Sequence, residues 1–119
     1  MRHATLLIGA ALMMTVSGTA SANDDVAFKE RFMGFCTYGA EHEMEITPAS
    51  AVKACACLYD YSREKTPEEV ITGVLELPED ATVADFDQVY VDSSLPRDIL
   101  DDITQNYLIC SRTHGEKRN

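Results

Sequence analysis

The sequence predicts an all-α fold: a small disulfide-stapled bundle of about four helices after a cleaved signal peptide. Apolar residues recur at helical spacing in four segments. Hydroxyl residues stand just before prolines where helices would begin, and the cysteine count is even in a short chain that carries an export leader.

The leader is residues 1–22, opening "MRHATLLIGAALMMTVSGTASAND". Arg2 gives a positive start, residues 4–16 are mostly apolar, and "ASA" at 20–22 supplies the small-x-small cleavage pattern. The apolar run is too short, and too closely followed by acidic sequence, to be a membrane span. Cleavage near Ala22 is expected to leave residues 23–119 as one helical domain. Its destination would be the periplasm or the exterior, with no membrane span in the mature chain.

The first helix is expected from about Asp25 to Met44, with Phe28, Phe32, Phe35, Cys36 and Gly39 along one stripe. Thr47 precedes Pro48, opening a second helix that runs to about Glu64. The threonine hydroxyl accepts a backbone N–H, and proline lacks a donor that would go unused in the first turn. Thr66 precedes Pro67 in the same way, and Thr66 with Glu69 forms the S/T-x-x-E capping-box pattern. That third helix should reach about Leu77 and bury Val70, Ile71, Val74 and Leu75. The last, from about Leu95 to His114, carries Leu100, Ile103, Tyr107 and Cys110 in one row. Ser94 before Pro96 marks its start, and Gly115 marks its stop. Residues 78–94 form a long connection containing Phe86, Val89 and Tyr90, expected as a short helix or an ordered loop.

The stretch "KACACLYDYS" places Cys55 and Cys57 two residues apart on the second helix. Two residues on a helix is a rotation of about 200°, so the two sulfurs face opposite ways and cannot bond to each other. One must then reach Cys36 on the first helix and the other Cys110 on the last. Both remaining pairings stay open, with Cys36–Cys57 and Cys55–Cys110 favoured over the alternative. Either way the second helix lies in the middle, and Ala49, Ala51, Ala54 and Ala56 let neighbours approach closely. In this reading the cysteines are structural. A working dithiol would want an exposed thiolate near a helix N-terminus, and Cys55 sits well inside its helix.

The same residues offer little to a metal. Opposed cysteines do not converge on one ion, and His42 and His114 stand at no ligand spacing to them. Three of the five methionines leave with the leader, which argues against a methionine-rich copper carrier. Asp85, Asp87 and Asp92 lack the glycine and further acid of a calcium-binding loop. The chain has no nucleophile elbow, zinc-protease motif or phosphate-binding loop, so no catalytic residue and no cofactor is assigned.

Charge narrows the partners. The whole chain has a net charge of −10. Between Thr66 and Asp102, eleven carboxylates stand against one base, Arg97. Nucleic acid and anionic lipid are repelled by such a chain, whereas a basic protein is attracted. Glu79, Asp80, Asp85, Asp87 and Asp92 are the expected acidic interaction face. Tyr38, Tyr59, Tyr61 and Tyr107 fall on helices as edges of the core. The expected function is a non-enzymatic protein-binding module, such as an inhibitor or immunity-type protein of the cell envelope. The alternatives are an acid-stress periplasmic chaperone, or a thiol-redox or metal-handling protein using Cys55 and Cys57. Oligomeric state is left unassigned.

Overall fold

The structure, a computed structural model, describes residues 22–118. The leader and its cleavage therefore lie outside the described residues, apart from the backbone of Ala22. Five helices follow in order: α1 Ala22–Glu43, α2 Pro48–Ser62, α3 Glu68–Leu75, α4 Val83–Asp92 and α5 Arg97–His114. A single 3₁₀ turn, Arg63–Lys65, extends α2. No helix among the described residues is long and apolar enough to cross a membrane. The all-α, doubly stapled bundle is the predicted one, with one helix more.

Helix α1 folds back on α2 as an antiparallel pair. Thr47 accepts a hydrogen bond from the Ser50 amide at 3.2 Å, and Pro48 occupies the first turn, so the expected cap forms. The turn before it holds Glu45 at φ 58°, a left-handed conformation that side chains adopt at a cost. The C-terminal tail secures this turn. Thr47 donates its amide to the Glu116 carbonyl, and Arg118 donates to the Glu45 carbonyl, each at 2.7 Å. At the far end of the pair, Arg63 meets Asp25 at 2.6 Å.

The core is aromatic on the α1 side. Phe32 stands edge-on to Tyr59 of α2 at 5.3 Å and to Phe86 of α4 at 5.8 Å. Phe28 packs beside both Phe32 and Tyr59. Helix α3 contributes Val70, Ile71 and Val74, all buried. Arg31 of α1 reaches across to donate to the carbonyls of Leu77 and Pro78 at 2.7 and 3.1 Å, tying α1 to the end of the third helix.

The cysteine pairing corrects the favoured one: Cys36 bonds Cys55 and Cys57 bonds Cys110. Antiparallel register is the reason. Cys36 and Cys55 are equidistant from the α1–α2 turn, so they meet across the pair. Phe32 and Tyr59, one helical turn further out, meet by the same symmetry. Cys57 then faces the other flank, where α5 lies.

Two start signals also differ. Thr66 does not box with Glu69; its hydroxyl donates to the Ser62 carbonyl at 2.8 Å inside the protein, and α3 begins without a side-chain cap. Ser94 does not cap α5 but donates to Glu69. The reciprocal box forms instead at Thr82 and Asp85, starting α4. That box makes residues 83–92 helical and resolves the open 78–94 segment in favour of a short helix.

Helices α3 and α4 come close together at Gly73. A Cβ there would lie 2.7 Å from Cγ1 of Val89, a stiff β-branched side chain. Gly73→Ala is expected to destabilise the domain by about 1–2 kcal/mol despite alanine's better helix propensity. In a Val89→Ala background the same change should stabilise. A double-mutant cycle by urea denaturation reads the difference, and equal effects in both backgrounds would contradict this packing.

Candidate functional site

Helix α5 packs on α2 rather than on α4, held there by the Cys57–Cys110 bond and by Tyr61 donating to Asp102. That leaves a cleft of about 450 Å³ between α1, α4 and α5, within the usual range for ligand-binding cavities. Each helix lines it with one row of its helical repeat. Helix α1 supplies Phe32, Phe35, Gly39 and Glu43; α4 supplies Val83, Phe86, Asp87, Tyr90 and Val91; α5 supplies Arg97, Leu100, Asp101, Thr104 and Tyr107. Leu58 of α2 closes part of the floor. The floor is aromatic, with Phe35 stacked on Phe86 at 4.9 Å and Phe86 edge-on to Tyr90 at 5.3 Å. Val91 stands at the rim 58 % exposed, an apolar lip.

The rim is anionic. At the start of α5, Arg97 offsets Asp101 at 3.8 Å. At the other end, among the described residues, no lysine or arginine lines the cleft. An ideal Cβ on Gly39 would lie 3.8 Å from Oε1 of Glu43 and 3.9 Å from the Tyr107 hydroxyl, so both oxygens converge on the space that this glycine leaves. Asp87 lines the same cleft from α4. Although Asp87 reaches solvent, the cleft wall desolvates its carboxylate; with Glu43 nearby, this raises its pKa. The Tyr107 hydroxyl is raised as well, first by burial and then by Glu43 and Asp87.

Holding Asp87 ionised therefore lowers stability. A carboxyl whose folded pKa exceeds its unfolded value binds its proton more tightly when folded. Its contribution is full at low pH and is lost as pH rises through the folded value. The groups facing it are Glu43 of α1 and Tyr107 of α5, with the Arg97–Asp101 pair further along the cleft. Asp87→Asn is expected to stabilise the protein near neutral pH, with the gain vanishing below about pH 4. Thermal melts across that range check it, and a loss of stability at neutral pH would contradict it.

The five acids expected on one face divide among different places. Glu79 and Asp80 are exposed in the turn after α3, with Asp80 at the edge of a second, shallower groove beside Arg31 and Tyr38. Asp85 is engaged in the α4 cap, and Asp92 accepts from Gln88 at 2.8 Å. Asp87 alone of the five lines the cleft. Glu43, Gly39 and Tyr107, its companions, were not singled out as site residues by sequence reasoning. A signal for them was present, since each continues an otherwise apolar row: Glu43 follows Cys36 and Gly39, Asp87 lies between Val83 and Val91, and Tyr107 follows Leu100 and Ile103.

All four cysteines are paired among the described residues, and Cys55 has no exposure to solvent. The described residues hold no cluster of histidine, cysteine or carboxylate with the convergence of a metal site. Of the four tyrosines expected as edges of the core, Tyr59 is buried and Tyr61 and Tyr107 are half-buried, but Tyr38 is exposed, packed beside His42 rather than on the core.

The class defined by these features is a small helical bundle stapled by two disulfides, with an apolar cleft under an acidic rim. No protein-family model matches the chain, and neither a curated protein nor a solved structure matches it.

Proposed function

We propose that this protein is an exported, non-enzymatic binding module that captures a basic protein partner, in the manner of an envelope inhibitor or immunity-type protein. One observation carries the reading: a preformed apolar cleft whose rim bears Glu43, Asp87 and Asp101 against, among the described residues, the single cation Arg97. Apolar floor and acidic rim together suit a partner surface that presents hydrophobic groups among positive ones. The disulfides support it in two ways. They fit an oxidising compartment, and they hold α1, α2 and α5 in place before any partner arrives, which lowers the ordering cost of binding. The same rigidity favours a binding module over a chaperone that must loosen in acid. The buried Cys55 bond disfavours thiol exchange at the Cys55/Cys57 pair.

Capture from envelope extract tests the proposal. A basic protein should be retained at low salt, released near 1 M salt, where the screening length is about 3 Å, and rebound when purified. Recovery of no basic protein at low salt would overturn the reading.

A further inference from the structure

We propose that the cleft receives a lysine side chain of the basic partner, with the ammonium held between Glu43, Asp87 and Tyr107 at one end. The inference rests on the binding-module reading and says which partner group the cleft selects. Three oxygen-bearing side chains come to this end from three different helices, α1, α4 and α5. Glu43 and Tyr107 converge on the gap beside Gly39. Among the described residues, no lysine or arginine lines that end. Arg97 stands ten residues earlier on α5, about 15 Å away along the helix, and already has Asp101 beside it.

Lysine fits this better than arginine. An ammonium is a compact point charge with three donors that turn freely, matching acceptors that arrive from separate directions. A guanidinium is a planar fork that prefers two oxygens of one carboxylate side by side. The aliphatic stem of lysine also packs well on an apolar floor while its head stays at a polar end. Phe86 and Leu100 provide that floor, and Val91 offers apolar surface to residues flanking the lysine. An incoming cation would screen the repulsion between Asp87 and Glu43 and offset, by direct attraction, the cost of desolvating the Asp87 carboxylate.

The probe is the peptide acetyl-Gly-Leu-Lys-Leu-Gly-amide, titrated into isotope-labelled protein by NMR. Three comparisons accompany it: the same peptide with norleucine for lysine, the same with arginine for lysine, and hexylammonium as a free amine. Shifts should centre on Gly39, Glu43, Asp87 and Tyr107, and norleucine should weaken binding by about tenfold or more, the loss of one buried charge pairing. Arginine should bind more weakly than lysine. Glu43→Gln with Asp87→Asn should weaken the lysine peptide by a similar factor without lowering the melting temperature. Gly39→Ala is a second, fold-preserving variant: its methyl meets only ordinary contacts, the nearest at 3.7 Å, yet it narrows the gap the ammonium needs, so it should weaken the lysine peptide without lowering the melting temperature. Equal binding of the norleucine peptide, or shifts elsewhere, would overturn the assignment. Hexylammonium binding as tightly as the peptide would also overturn it, making the cleft a site for free amines. The two readings fail separately. If wild-type protein and the Glu43→Gln/Asp87→Asn variant hold the same captured partner equally well, the lysine site falls and the binding module stands.

Discussion

Replacing Cys57 and Cys110 together by alanine is expected to lower the free energy of unfolding by about 3–4 kcal/mol. The bond joins residues 53 apart in sequence, and the chain-entropy model puts the constraint on the unfolded chain at about 4 kcal/mol for a loop of that length. Small rearrangements around the two alanines recover little, because Cys110 is 1 % exposed and its neighbours on α2 are already packed. The Cys36–Cys55 bond closes a loop of 19 residues and should be worth less, about 3 kcal/mol. A domain of this size has about 5–15 kcal/mol in total, so the loss is a large fraction of its stability. Urea denaturation of the oxidised wild type and the double-alanine variant measures it. The second consequence is local: α5 loses its covalent tie to α2, and the cleft wall carrying Tyr107 is released with it. A variant losing under about 1 kcal/mol would show that α5 is held by packing alone.

Phe32→Ala is expected to cost about 3–5 kcal/mol, comparable to losing a staple. Phe32 is 3 % exposed and sits where α1, α2 and α4 meet, touching the rings of Phe28, Tyr59 and Phe86. Truncation removes a buried aromatic and leaves a void that three rigid rings cannot close. Because Phe32 also lines the cleft, the void opens into it. Phe35→Ala makes a useful comparison: this residue also packs on Phe86, stacked rather than edge-on, but is only half-buried, so it should lose less. If the two substitutions cost the same, the core is not centred where the rings meet.

Much of the architecture was legible because it is local. The Thr47–Pro48 start, the stripe of Phe28, Phe32 and Cys36, and the row of Leu100, Ile103 and Cys110 depend on residues within a few turns of one another. The opposed facing of Cys55 and Cys57 is likewise a property of any helix, and it limited the pairings to two. Other local signals were outcompeted. The Thr66 hydroxyl had a choice between the α3 amides and the buried Ser62 carbonyl, and took the latter. Ser94 faced a similar choice and found Glu69. Neither outcome can be read from spacing, because both depend on what the third helix packs against.

The sequence alone determined that this is a helical chain whose second helix must be held on two sides by disulfides. Tertiary structure decided which sulfur met which, since antiparallel register about the α1–α2 turn pairs Cys36 with Cys55 and turns Cys57 toward α5. It also made the cleft. Glu43, Asp87 and Tyr107 are far apart along the chain, and no pattern within any one helix specifies that their oxygens share a space. Only the packing of α5 on α2, away from α4, leaves that space open.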